Sequence, residues 1–201
     1  DISYKGDWGY HPLVVSFANT GEPLFIKNRS GNRPSHEGVV PLYDEAVALV
    51  RRAGFSDVIL RGDTDFSLTT QFDRWDEDGV RFVFGYDARA NMVALAEDHP
   101  DELYRDLVRH AERAAATEPR ARPEDVKDGI VRSRGYTTLR TTGEDVVDFE
   151  YRPVSCHKAY RVVALRNNIS VTQGDAVLFD EFRYFFYITN RTDLTPEEVV
   201  R

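Results

Sequence analysis

Residues 57–68, DVILRGDTDFSL, place two carboxylates, Asp63 and Asp65, directly after the apolar run Val58, Ile59, Leu60. Side chains at the C-terminal end of a sheet strand face the crevice where ligands bind. A carboxylate there is a hard oxygen donor suited to Mg²⁺ or Mn²⁺. Gly62 is expected to let the backbone turn sharply and to leave room beside a ligand. The plainer reading is that both acids cap the turn that follows and favour its positive end. The residue pair alone does not choose between these roles.

Other residues able to contact phosphate or metal lie in short clusters. The loop around residues 27–36, KNRSGNRPSH, offers Lys27, Arg29 and Arg33 to a nucleic-acid backbone, because such cations neutralise phosphates; its alternative is a solvated loop. His11 and His36 are candidate contacts too, although His11, at a strand start, reads as a hydrogen-bonded structural residue. CHKAYR (156–161) is read as a strand with Lys158 and Tyr160 on one face and His157 and Arg161 on the other, so that Lys158 and Arg161 become a second basic candidate. PRARP (119–123) and RSR (132–134) are diluted by Glu118, Glu124, Asp125 and Asp128 and read as a solvated face. Cys156 reads as a small buried hydrophobe, and the aromatic run Phe182, Tyr184, Phe185, Phe186, Tyr187 as a core strand rather than a base-stacking platform.

The elements that must position these groups can be read from periodicity. Residues 10–19 and 23–29 form a hairpin around NTGEP. Val40, Tyr43, Ala46, Val47 and Val50 recur at helical spacing, with Gly54 as the stop and Arg51 and Arg52 in the last turn. A buried strand over 57–61 follows, then a helix over 67–79 with Ser67 as N-cap and Gly79 as stop, then a buried strand over 80–87. A helix followed by a strand, twice over, predicts an α/β sheet with an antiparallel hairpin at its start. Residues 90–116 read as helical, 117–129 as a loop or linker, and 130–190 as antiparallel β. Thr195 and Pro196 open a helix as N-cap and first helical residue.

Composition sets limits on these readings. The 201 residues are 41% apolar and 30% charged, with a net charge of −8. That balance opposes a uniformly basic nucleic-acid surface but suits a protein that gathers carboxylates around metal ions. One cysteine rules out a disulfide framework and fits a reducing cytosol. No run of 18 apolar residues is long enough to span a membrane, and the first residues do not read as a secretory signal. The abrupt start at Asp1 and stop at Arg201 fit a piece of a longer chain.

Two enzyme classes use an acidic strand end of this kind. Haloacid-dehalogenase-like phosphatases want strand–Asp–x–Asp–x–Thr. Asp63, Thr64, Asp65, Phe66, Ser67 match this in part, without a later Lys and Asp-Asp pair. Ribonuclease H-like nucleases and transposases order three strands, a helix, an acid-ended strand, a helix, a strand and a late acidic helix. Residues 10–87 follow that order if a first strand precedes or includes Asp1.

The stretches SYKGDWGYHPLVVSFANTGEPLFIKNRSGNRPSHEG, RRAGFSDVILRGDTDFS, FEYRPVSCHKAYRVVALRNN and FRYFFYITN, in this order, resemble bacterial insertion-sequence DDE-type transposases. The resemblance covers essentially the whole chain. It implies a ribonuclease H-like mixed sheet with helices (α/β, or α+β), interrupted by an α+β insertion with an antiparallel sheet. The expected parts are residues 1–89 as partial core, 90–175 as insertion subdomain, and 176–201 as return strand and start of the C-terminal core helix. It also implies three carboxylates that hold two Mg²⁺ or Mn²⁺ ions, which activate water or a DNA 3′-hydroxyl for in-line attack on a phosphodiester.

Asp63 matches the second of those acids, and Asp65 is favoured as a turn residue. The first acid belongs to an Asp-Gly-Thr-like stretch on the first strand; Asp1 lies too close to WGYHPL to match it. The third, a Glu, follows the YFFYITN strand, further along than Glu197 and Glu198. One acid of three makes the 201 residues inactive by themselves. The implied partner is double-stranded DNA (transposon ends and target), the implied location the bacterial cytoplasm and nucleoid, and a homodimer of the full-length protein is possible. The other function class is a non-catalytic DNA-binding or assembly module.

Overall fold

The computed structural model describes residues 2, 6, 8–107, 137–173 and 176–200, leaving out the side chains at 137–142 and 172–180. The readings of 117–129 and 132–134 lie outside the described residues. The chain divides into two compact units. One comprises Asp1–Tyr86, Tyr151–Tyr160 and Ile188–Thr192; the other comprises Asp87–Glu150, Arg161–Tyr187 and Asp193–Arg201.

The first unit opens with the expected hairpin. β1 (Leu13–Phe17) and β2 (Glu22–Lys27) pair antiparallel, with Leu13 opposite Lys27 and a register shift between Val15 and Ser16. Leu13 and Val15 are buried while Val14 and Ser16 are exposed, the alternation of a strand with one covered face. The turn closes through Gly21 at φ 76°, whose amide donates to the Phe17 carbonyl at 2.8 Å. Helix α1 (Val39–Arg52) then buries one stripe, Val39, Tyr43, Ala46 and Val47. The chain leaves it through Gly54, at φ 99°, a conformation that suits glycine.

Next comes a crossover between parallel neighbours. β3 (Ile59–Gly62) pairs with β4 (Arg81–Tyr86), Ile59 opposite Arg81 and Gly62 opposite Phe84. Between them run a 3₁₀ turn (Thr64–Phe66), a second 3₁₀ turn (Thr69–Gln71) and α2 (Phe72–Glu77). The helix is thus shorter than the expected 67–79. Ser67 does not cap it; its hydroxyl donates to the Thr64 carbonyl at 2.7 Å and closes the first 3₁₀ turn. An aromatic core fills the space under the strands. The Phe72 and Phe82 rings stack at 4.4 Å, and Trp75 meets Tyr43 edge-on at 5.9 Å.

The second unit contains α3 (Ala90–Glu97), β5 (Arg105–Asp106), most of β6 (Thr137–Tyr151), β7 (Tyr160–Gln173) and β8 (Ala176–Thr189), and α4 (Pro196–Val200). Of the helical reading of 90–116, residues 108–116 lie outside the described residues. Ahead of them α3 stops before His99-Pro100, where proline disfavours helix in the preceding residue, and a 3₁₀ turn (Asp101–Leu103) and β5 follow. The Arg166 guanidinium lies 3.8 Å from the Tyr104 ring centre and donates to Asp101 at 2.7 Å and Asp145 at 3.3 Å. α4 begins as expected. The Thr195 hydroxyl accepts from the Glu198 amide at 3.3 Å, and the Glu198 carboxylate accepts from the Thr195 amide at 2.8 Å, a reciprocal capping box.

Six strands are hydrogen-bonded in the order β3-β4-β8-β7-β6-β5, with β3 and β4 parallel and β5 and β6 antiparallel, so the sheet is mixed. This mixed α/β arrangement is compatible with a ribonuclease H-like fold. The hairpin β1-β2, expected at the start of that sheet, forms a two-stranded sheet of its own. Among the described residues no strand pairs with the outer edge of β1 or of β3. As a sheet edge, β3 buries only Leu60; Ile59, expected inside, is 41% exposed.

Candidate active site

Asp63 follows the last residue of β3 and begins the turn into the crossover. Its backbone is extended, at φ −75° and ψ −171°, and its carbonyl accepts from the Phe66 amide at 3.1 Å. Its Oδ1 accepts from the Asp65 amide at 3.1 Å, which closes a small ring of side chain and backbone and restricts the carboxylate to one orientation. Asp63 is exposed, and among the described residues no lysine or arginine pairs with it. The turn-capping role and the ligand role are therefore compatible. One oxygen holds the turn, and the other has no partner among the described residues.

The walls of this corner are aromatic and glycine. Tyr43 of α1 is buried against Trp75 and Phe84, and its hydroxyl is pushed well above the ordinary tyrosine range by burial and by the negative charge of Asp63. Gly62 is not needed for a left-handed backbone, since its φ is not positive. It is needed for space. A Cβ there would lie 2.9 Å from the Phe66 Cβ and 3.2 Å from the Phe84 Cδ1. Asp65 is exposed and gives its amide to Asp63, which places it as a turn residue.

A second set of acids lies on α2 and has opposite surroundings. The Asp73 carboxylate accepts from the His157 amide and from the Tyr160 hydroxyl, each at 2.6 Å. Asp76 accepts from the Lys158 ammonium at 2.7 Å and from the Asn190 side-chain amide at 2.9 Å. Burial pushes each carboxyl up, but the donors outweigh it: His157, Tyr160 and Lys158 at Asp73, Lys158 and Asn190 at Asp76. Both end below the ordinary carboxylate range. Asn190 also accepts from the Phe82 amide at 2.9 Å and donates to the Val80 carbonyl at 3.0 Å, so this platform fixes β4 as well. Sequence reading missed Asp73, Asp76 and Asn190, and gave Tyr160 only a strand face shared with Lys158. The signal available was the three-residue spacing of the two acids on one helix face, opposite a segment whose alternation pairs Lys158 with Tyr160.

The basic candidates separate into those used by the fold and those at the surface. Arg29 donates to four carbonyls, of His11, Pro34, Ser35 and Glu37, at 2.6–3.1 Å, and so shapes its own loop. His11 joins this loop through Nδ1 and the Arg33 carbonyl, 2.9 Å apart. Arg33 is exposed and pairs with Glu37 at 2.9 Å, while Lys27 is exposed on β2. Arg161 donates to Asp148 at 2.8 Å and to the Leu194 carbonyl. Of the expected strand 156–161, only Tyr160 and Arg161 belong to β7, and Lys158 lies in the bend before it. Cys156 is buried with its thiol donating to the Thr69 carbonyl, and burial pushes that thiol up, away from nucleophile chemistry.

Among the described residues no three His, Cys, Asp or Glu side chains form a metal-holding group. Asp63 has the donor chemistry that Mg²⁺ or Mn²⁺ requires, in an oxygen that no cation among the described residues competes for. The number of donors falls short of a complete site. No helix of the described residues is long and apolar enough to cross a membrane.

The sheet is mixed, and Asp63 is an exposed acid just past the C-terminal end of β3, which runs parallel to β4. A family model described as Transposase DDE domain group 1 matches residues 2–201. The chain belongs to that family, whose members are transposases. No curated protein and no solved structure matches it.

Proposed function

We propose that the chain contributes Asp63 as a metal-binding carboxylate to a transposase that cleaves transposon-end DNA and transfers the strand to a target. The observation that carries this reading is an exposed acid at the end of β3, oriented by its own turn and, among the described residues, paired with no lysine or arginine. Divalent metal bound there would polarise the phosphodiester and activate water or a 3′-hydroxyl. The chain's own part is to hold the Asp63 carboxylate in place before metal arrives. The Asp65 amide and the Phe66–Asp63 backbone bond do this. Two further acids are required, so residues 1–201 alone are inactive in this proposal.

Lys27, Arg33 and Lys158 are the exposed cations proposed to meet the DNA backbone, with Arg29 and Arg161 acting by shaping their surroundings. Residues 90–175 are proposed as an insertion into the core, and the full-length protein as a cytoplasmic, DNA-bound enzyme able to dimerise.

A transposition assay in cells separates this from a non-catalytic role. In the full chain, Asp63→Ala is expected to abolish transposition, whereas Asp65→Ala retains it. Wild-type transposition by Asp63→Ala would leave the chain as a DNA-binding or assembly module. Turnover of a small phosphate ester by residues 1–201 alone would point instead to a phosphatase.

A further inference from the structure

Resting on the reading of Asp63 as a metal-binding acid, we propose that Gly85 of β4 is a positioning residue for it. β3 and β4 run parallel with Gly62 opposite Phe84, so the next rung sets Gly85 beside the Asp63–Thr64 turn. A Cβ on Gly85 would lie 2.9 Å from the Thr64 backbone nitrogen, 3.2 Å from the Asp63 carbonyl carbon and 3.3 Å from the Thr64 Cγ2. The first distance is shorter than side-chain carbons adopt in folded proteins. Two of these three atoms are backbone, which has no rotamer by which to escape.

The contrast with Gly62 is informative. There an added methyl would meet the Phe66 and Phe84 side chains, a matter of core packing. At Gly85 it meets the peptide bond that carries the acid itself. Gly85 has no positive φ, so alanine is conformationally acceptable there and the only thing it changes is space. The turn must then lift from β4. The Asp63 carboxylate moves with it, and the Oδ1 bond to the Asp65 amide is disturbed. A functional carboxylate must be held within about 0.5 Å of its productive position.

The test uses the full chain with Gly85→Ala, Asp63→Ala and a control, Gly9→Ala, whose added methyl would meet nothing within 4 Å and whose φ is not positive. Two measurements are made besides DNA nicking: hydrogen exchange of the Asp65 amide in metal-free protein, and Mn²⁺ binding by titration calorimetry. Gly85→Ala is expected to speed Asp65 exchange and to weaken Mn²⁺ binding by about tenfold or more, the lower range seen when the support of a metal ligand is removed. Gly9→Ala should match wild type in both.

Wild-type exchange and Mn²⁺ affinity in Gly85→Ala would overturn the positioning role. The outcomes for Asp63 are distinct. If Asp63→Ala binds Mn²⁺ and nicks as wild type does, the metal-acid reading itself has failed. If Asp63→Ala is inactive while Gly85→Ala equals the control, only the positioning inference has failed. Should Gly85→Ala lose its fold, Gly85→Ala with Thr64→Gly, which removes the Cγ2 contact, is compared with Thr64→Gly alone in the same two measurements, so that any loosening of the turn by glycine is common to both. Faster exchange and weaker Mn²⁺ binding in the double variant are expected, and equality would overturn the positioning role.

Discussion

Asp63 and the pair Asp73 and Asp76 lie in one crossover of the chain, yet their surroundings are opposite. The Asp63 side chain is exposed and, among the described residues, bonded to the amide two residues ahead. Asp73 and Asp76 each receive donors from distant segments: His157 and Tyr160 for the first, Lys158 and Asn190 for the second. An acid whose hydrogen bonds close across the chain is a structural bolt, because losing it strands its partners. An acid bonded to its own turn is fixed in direction while its charge remains available. The two kinds share one residue type and are told apart only by what reaches them.

Exchanging the consequences of mutation should break this contrast if it is wrong. The largest effect is expected at Asp63. Alanine there should lower metal-dependent DNA nicking by more than about 100-fold, since even the supports of a metal ligand are worth 10–100-fold, with almost no change in melting temperature. Asp73→Ala should do the reverse. It leaves the buried Tyr160 hydroxyl without its acceptor and should cost about 1–2 kcal/mol of stability, read by denaturant titration.

A subtler effect is in the acid limb of stability. The carboxyls of Asp73 and Asp76 lie below the ordinary value of 3.8 in the fold. Their contribution is therefore complete above that value and is lost as pH falls below it. Melting temperatures recorded from pH 5 downward should fall steeply for wild type below pH 4. The fall should be less steep for the combined Asp73→Asn and Asp76→Asn variant; equal slopes would mean the platform is not held by charge. The smallest effect is expected for Lys158→Ala. Its side chain is 45% exposed and its pair with Asp76 is open to solvent, so the melting temperature should stay within experimental error.

Much of this corner was legible from residue order. The apolar run followed by Gly-Asp gives a strand end with an acid, and the helical spacing after Val39 gives α1. What residue order could not give was which strand lies at an edge. Val58, Ile59 and Leu60 look alike whether a strand is central or terminal, and only the sheet order exposes Ile59. Gly85 was equally silent, since a glycine inside FVFGYD acquires its meaning from the register with β3. The structural part of Arg29 was hidden for a related reason. Arg29 looks like a phosphate contact by type, but its Nε and Nη1 donate to four nearby carbonyls that close the loop.

Whether metal touches Asp63 is tested most directly by changing the ligand atom and the metal together. In the full chain, Asp63→Cys replaces a hard oxygen by a soft sulfur, a donor poorly suited to Mg²⁺. Nicking of transposon-end DNA should be lost in Mg²⁺ and partly restored in Mn²⁺, relative to wild type in each metal. An Asp63→Cys protein whose activity relative to wild type is the same in both metals would contradict the assignment.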